Sequence, residues 1–159
     1  MGIQLGEPIL FDMISQIVIG NIPDHYDIVL HPIAFAGWVG LFITALNLIP
    51  IGQLDGGHIA YAMFGNRQPL IAAILILPLL LYLGALNILT TIYPWMESLP
   101  GAPGWQGWIL WALLPLLIGI RHPSVQDEYI PLDLTRQIIG WVTALIFIVC
   151  FVPSPFKNI

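Results

Sequence analysis

Four long apolar runs dominate this sequence and limit what it can fold into. They cover approximately residues 33–50, 69–93, 105–120 and 137–152, and about 20 apolar residues suffice for a helix to cross the hydrocarbon core of a bilayer. Hydrophobic residues make up 58% of the chain and charged residues only 8%, whereas soluble domains carry about a quarter charged residues. The sequence therefore predicts an all-α integral membrane protein with about four transmembrane helices.

The segment before the first run has a different pattern. Within residues 1–32, apolar side chains recur at helical spacing with polar ones between them; they are Leu5, Ile9, Leu10, Met13, Ile14, Ile17 and Val18. This predicts an N-terminal amphipathic helix that lies on the membrane surface or packs against other helices. We accordingly expect an amphipathic segment over residues 1–32 and a transmembrane helical domain over residues 33–159.

The basic residues predict an orientation for a multi-pass protein. If the first run crosses inward, Arg67, Arg121 and Arg136 all lie on one side, and only Lys157 opposes this arrangement. Residues 1–32 and 94–104 contain no lysine or arginine. The side that carries the arginines is expected to be cytoplasmic, and two loops would lie there, near residues 51–68 and 121–136.

Aromatic residues near the opposite loop are consistent with a membrane interface on that side. They are Tyr93, Trp95, Trp105 and Trp108, and tyrosine and tryptophan are enriched at the headgroup level of membranes. We therefore expect these four side chains to form an aromatic belt.

The end of the first run combines a helix break with a carboxylate. Pro50 disfavours helix at the residue before it, so the first helix should end near residue 49. Gly56 and Gly57 follow Asp55 and permit close approach of a ligand or another segment. An ionisable residue at membrane depth is by default a candidate functional site. The residues alone leave an alternative open, in which this stretch is a solvated loop.

The spacing Asn47-x-x-Pro50-x-x-x-Leu54-Asp55-Gly56 resembles the zinc-ligand motif of the site-2 protease family. The resemblance implies an intramembrane zinc metalloprotease in which Asp55 is the third protein ligand of a catalytic zinc ion. It also implies that Asn47 and Pro50 bind an extended substrate, and that Gly56 and Gly57 have a structural role at the site. Further similarity to the bacterial and chloroplast-type branch lies in His31-Pro32, Gly57-His58, Arg121-His122-Pro123 and Pro131-Leu132-Asp133.

The second half of that family's metal site is missing from the sequence. No His-Glu-x-x-His motif is present in the 159 residues, and catalytic zinc sites commonly have three protein ligands. We therefore expect the C-terminal part of such an enzyme, inactive alone, whose remaining zinc ligands lie outside this chain. A truncated gene model, a fragment, or a genuine half that pairs with a chain carrying the His-Glu-x-x-His helix would each produce this pattern.

The histidines do not replace the missing motif. The four histidines include no pair at the i, i+4 spacing that places two ligands on one helical face. His58 lies three residues after Asp55 and is a candidate further ligand, although a histidine here more often bonds backbone or a carboxylate. His122 could be grouped with Asp127, Glu128 and Asp133, but their spacing follows no ligand rule, and a solvated loop with helix-capping acids is favoured.

Two classes of function remain after these considerations. The first is a protease that acts on membrane-anchored protein substrates near the cytoplasmic face, surrounded by membrane lipid. The alternative is a non-catalytic, pseudoprotease-like four-helix membrane module that binds partners without cleaving them. A transporter with a broken helix is a third candidate, but the sequence lacks a visible repeat. The net charge of -5 gives no basic patch, so no nucleic-acid partner is expected.

Overall fold

The computed structural model describes residues 3–20, 29–100, 102, 104–120 and 131–158. Within them the chain is predominantly helical, and the α-helices are α1 (Ile9–Ile19), α2 (Pro32–Asn47), α3 (Asp55–Phe64), α4 (Gln68–Ile71), α5 (Leu77–Ile92), α6 (Gly107–Ile118) and α7 (Leu134–Cys150). Short 3₁₀ turns occupy Gly65–Arg67 and Pro94–Ser98, and a π turn at Ala72–Ile76 joins α4 to α5. Two strands, β1 (Ile3–Leu5) and β2 (Phe156–Asn158), complete the fold.

The helical prediction is confirmed, and each of the four apolar runs contains a helix. The antiparallel pairing of β1 with β2 was not predicted, because each strand has only three residues. The helical stretch Asp55–Ile92 is long and apolar enough to cross a membrane, whereas the other apolar helices have 10–17 residues. The described residues thus contain one candidate span, and the count of four spans stays a prediction.

The long helices alternate in direction. Gly52, just after α2, lies so close to Gly119, just after α6, that a Cβ on Gly52 would come within 2.7 Å of the Gly119 carbonyl oxygen. At the other end, Trp108 at the start of α6 donates to the carbonyl of Pro153, just after α7, at 2.8 Å. Helix α5 packs along α6, and α2 packs along α7. We call the end that contains residues 48–54 the turn end and the opposite end the aromatic end.

The aromatic end joins the two termini of the described chain. The buried Trp38 indole donates to the Gly6 carbonyl at 2.7 Å, and the Gly6 amide donates to the Pro155 carbonyl at 2.9 Å. Six rings pack together around these bonds; they are Trp38, Phe42, Trp105, Trp108, Phe151 and Phe156. The segment before α2 is therefore connected to the end of the chain by β pairing and by Trp38. The division at residue 32 stays a prediction.

One member of the predicted aromatic belt lies elsewhere. Tyr93 and Trp95 are exposed, at 50% and 69%, as a side chain at an interface should be. Trp108 is 0% exposed and belongs to the hydrophobic core, so its assignment to the belt was wrong. Its indole N–H is satisfied by Pro153, which explains how a tryptophan is buried without an unpaired donor.

Helix α1 forms where the amphipathic pattern predicted it and packs against α7. None of its residues is buried within the described chain, and Ile17 and Val18 are 81% and 75% exposed. The Gln16 side chain bonds the Asp12 carboxylate at 3.0 Å, so its polar groups pair with each other. The exposed apolar face of α1 is compatible with packing against lipid or against another protein segment.

The chain after α2 turns tightly and does not continue as an extended strand. The Leu48 amide donates to Thr44, the Ile51 amide to Ile49 at 2.8 Å, and the Leu54 amide to Ile51 at 3.3 Å. Ile49 and Ile51 are 1% and 0% exposed and pack into the core with α5. The turn is therefore part of the core, as expected for non-helical backbone in a membrane protein.

Helix α3 begins directly on this turn because its first residues lack side chains. A Cβ on Gly56 would overlap the Leu48 carbonyl, and a Cβ on Gly57 would come within 2.6 Å of the Ile51 carbonyl oxygen. Both obstacles are backbone atoms, which cannot rotate away as a flexible side chain would. The two glycines thus let the N-terminus of α3 contact the turn backbone.

Adding a methyl group at Gly57 is expected to destabilise the protein. Overpacking against backbone costs about 1–3 kcal/mol, so Gly57→Ala should lower the midpoint of thermal unfolding in detergent. The matched control is Gly40→Ala on α2, where a Cβ meets nothing within 4 Å. That change should be neutral or stabilising, because alanine is the better helix former by about 1 kcal/mol. Equal effects of the two substitutions would contradict the packing described here.

Removing the Trp38 indole N–H is expected to loosen the aromatic end. Trp38→Phe keeps a ring in the cluster but leaves the Gly6 carbonyl unpaired, and a buried unsatisfied group costs about 1–3 kcal/mol. The free energy of unfolding in mixed micelles should fall by about that amount. Trp95→Phe, at a side chain that is 69% exposed, is the control and should leave it unchanged.

Candidate functional site

Asp55 is the first residue of α3, placed there by an extended Leu54 at the cap position (φ -67°, ψ 160°). The unpaired backbone N–H groups of a helix N-terminus carry partial positive charge, which favours a carboxylate at this position. The side chain is exposed and makes no ion pair or hydrogen bond with another described residue. Asp55 is therefore accessible to a group outside this chain.

Asp133, unlike Asp55, is a carboxylate whose hydrogen bonds stabilise the fold. Asp133 caps α7 by accepting from the Arg136 amide at 2.8 Å and pairs with the Arg136 guanidinium at 2.7 Å. The helix-capping interpretation is thus confirmed for Asp133. His122, Asp127 and Glu128, with which it could have formed a cluster, lie outside the described residues.

Asn47 and Pro50 lie on the same turn as Asp55. Asn47 is the last residue of α2 and is exposed, while Pro50 is half-buried and its carbonyl accepts a hydrogen bond from the Gln68 side chain at 3.2 Å. The amides of residues 48, 49 and 51 are bonded within the turn and α2, and proline has no amide N–H. Of Asn47 and Pro50, the Asn47 side chain is thus the exposed polar group next to Asp55.

His58 follows Asp55 by three residues on α3, a spacing that places both on one face of the helix. Its side chain is exposed, and its amide donates to the Leu54 carbonyl at 3.0 Å. Within the part of the chain that the structure describes, no three side chains of histidine, cysteine, aspartate or glutamate are grouped closely enough to hold a metal ion. These residues alone do not fit a complete zinc site, so we derive no catalytic step through zinc.

Sequence reasoning did not single out Gln68. This residue opens α4, is 1% exposed, and reaches back to the Pro50 carbonyl. A glutamine at the start of a long apolar run is a visible signal, but only the folded chain shows which backbone group it meets.

Residues 4–91, more than half of the chain, match the model of peptidase family M50. The chain is 45% identical over 67 residues to "Probable zinc metallopeptidase EGY3, chloroplastic" of Arabidopsis thaliana. This alignment covers 42% of this chain and 11% of that protein. Over 137 residues it is 31% identical to "Probable zinc metalloprotease EGY3, chloroplastic" of Oryza sativa subsp. indica, covering 86% of this chain. It is also 40% identical over 60 residues to "Probable zinc metalloprotease EGY1, chloroplastic" of Arabidopsis thaliana, covering 37% of this chain and 11% of that protein.

The chain spans about a fifth of the length of the rice relative, with 21% of that protein aligned. No solved structure matches the chain significantly. The match to the family model includes the turn and its Asp55 motif, so the resemblance inferred from the motif is confirmed. This protein is therefore a member of peptidase family M50, the site-2 protease family of membrane zinc metalloproteases.

Proposed function

We propose that this chain is the C-terminal part of an intramembrane zinc metalloprotease and supplies one zinc ligand, Asp55, to its active site. The observation that carries the proposal is the Asp55 carboxylate, which is exposed and unpaired among the described residues. It also sits at a helix N-terminus that Gly56 and Gly57 hold against the turn backbone. The helix N-terminus favours the charged carboxylate, and its exposure leaves it accessible, as a metal ligand must be.

The remaining zinc ligands would come from a segment outside this chain. Three protein ligands are usual in catalytic zinc sites, and Asp55 supplies one. We propose that a helix with the His-Glu-x-x-His motif completes the site, either in a longer form of this protein or in a partner chain. The relatives' greater length supports this arrangement, since the chain aligns with only 21% of the rice protein. By itself the chain would be inactive.

The substrate of the complete enzyme would be a membrane-anchored protein. Asn47 and Pro50 would bind its extended segment, because the exposed Asn47 amide and the half-buried Pro50 lie close in sequence to Asp55. The alternating helix directions support four spans in lipid, with Arg67 at the turn end and the loops near 51–68 and 121–136 in the cytoplasm. Cleavage would then occur near the cytoplasmic face.

A non-catalytic binding module is the second candidate. It is favoured by the lack of a three-donor metal cluster among residues 3–20, 29–100, 102, 104–120 and 131–158. Such a module would use the same turn to hold a partner without cutting it. Zinc binding and cleavage by the complete protein distinguish the two candidates.

Loss of the Asp55 carboxylate is expected to abolish cleavage. Outer-shell partners of metal ligands are worth about 10- to 100-fold in activity or metal affinity, so in the complete enzyme Asp55→Ala should reduce cleavage by more than about 100-fold and weaken zinc binding. Membrane insertion should be unchanged, because the Asp55 side chain makes no hydrogen bond or ion pair with another described residue.

The matched control for this experiment is Asp133→Ala, which removes an exposed acid that caps α7. This control should lower stability by about 1 kcal/mol and leave cleavage intact. Normal cleavage by Asp55→Ala would remove Asp55 from the mechanism. Cleavage would be followed with a fluorescent membrane-anchored substrate in proteoliposomes, and zinc by elemental analysis.

The isolated chain is expected to hold far less than one zinc ion per molecule. One carboxylate with a neighbouring histidine gives too few ligands for a stable site. Purified chain in detergent, dialysed against buffered zinc, would be measured by elemental analysis. One tightly bound zinc ion per chain, sensitive to Asp55→Ala, would contradict the half-site proposal.

A further inference from the structure

We propose that Gln68 is a positioning residue that holds the Pro50 turn from its buried side and so sets where a substrate segment lies beside Asp55. The inference deepens the proposed function and rests on it for the identity of the bound segment. Its structural part, the hold of Gln68 on the turn, stands on the geometry alone.

The contact joins a buried side chain to a half-buried turn residue. The Gln68 side chain is 1% exposed, and its Nε2 donates to the Pro50 carbonyl oxygen at 3.2 Å, across 18 residues of sequence. The backbone amides of residues 48, 49, 51 and 54 already donate to other carbonyls of α2 and the turn. Gln68 therefore supplies the donor that orients the Pro50 carbonyl.

The amide oxygen of Gln68, Oε1, is buried and accepts no hydrogen bond from the described residues. A buried acceptor without a donor costs free energy, and an apolar side chain of the same length would fill this space without that cost. The bond to the Pro50 carbonyl is therefore the interaction that favours a glutamine over an apolar side chain at this position.

Two separate contacts hold the two parts of the site. Asp55 is held by the packing of Gly56 and Gly57 on the Leu48 and Ile51 backbone, which does not involve Gln68. Pro50, at the centre of the turn, is held by Gln68. Loss of the Gln68 amide should consequently loosen the turn at Pro50, while the glycine packing that places Asp55 is retained.

Hydrogen exchange tests the hold on the turn without any need for activity. In Gln68→Leu, the amides of Ile51 and Leu54 should exchange about five- to tenfold faster, since one neutral hydrogen bond contributes that factor to a local opening equilibrium. The amides of α5 and α6 should exchange as in the unsubstituted protein. Unchanged exchange at the turn would overturn the proposal, and so would an equal rise throughout α5 and α6, which would show a general loss of stability.

The matched control is Gln137→Leu. Gln137 also donates its side-chain amide to a backbone carbonyl, that of Leu132 at 2.9 Å, but it is exposed at the start of α7. This variant should leave exchange at the turn and substrate cleavage unchanged. A response equal to that of Gln68→Leu would show that any lost amide bond has the same effect, and would overturn the proposal.

Kinetics of the complete enzyme test the functional part. Gln68→Leu should lower kcat/KM by about five- to tenfold, chiefly through a higher KM, with bound zinc unchanged. A parallel loss of zinc would show that Gln68 acts on the metal ligand and would overturn the assignment to substrate positioning. If the complete protein neither binds zinc nor cleaves, the proposed function fails, and the exchange experiment still decides whether Gln68 holds the turn.

Discussion

The contact of backbone on backbone between the start of α3 and the turn after α2 is the constraint on which the site depends. Only glycine fits at positions 56 and 57, because a Cβ at either would overlap a carbonyl group of the turn. This contact sets the position of Asp55, the next residue toward the N-terminus, with respect to Asn47 and Pro50. Ile49 and Ile51 of the same turn belong to the hydrophobic core, so the turn that positions Asp55 is also part of that core.

The two ends of the helix bundle use different interactions. At the aromatic end, Trp38 and Trp108 bury their rings and satisfy their N–H groups on the carbonyls of Gly6 and Pro153. These bonds, with the pairing of β1 and β2, join the first and last segments of the described chain. At the turn end, by contrast, Asp55 and Asn47 remain exposed, and Gln68 Oε1 remains unpaired among the described residues. The exposed Asp55 and Asn47 and the unpaired Gln68 Oε1 thus all lie at or next to the turn end.

Membership of peptidase family M50 offers an explanation for the exposed and unpaired polar groups near the turn. The chain aligns with only a fifth of the rice relative, and its described residues lack the donors of a complete metal site. An exposed aspartate without partners fits a site that is shared with another segment. Asp55, placed by glycine packing, and Pro50, bonded by Gln68, are held by different contacts.

The sequence by itself determined the helical class, the family and the candidate site residues, because apolar runs and a short motif are local patterns. Pro50 predicted the end of α2, and the interpretation of the acids near residue 133 as helix caps is confirmed for Asp133. Only the tertiary structure decided that Trp108 is core, that β1 meets β2, that α3 rests on the turn, and that Gln68 reaches Pro50. Each of these depends on contacts between residues far apart in sequence, whose partners follow from how the helices pack and cannot be read from local spacing.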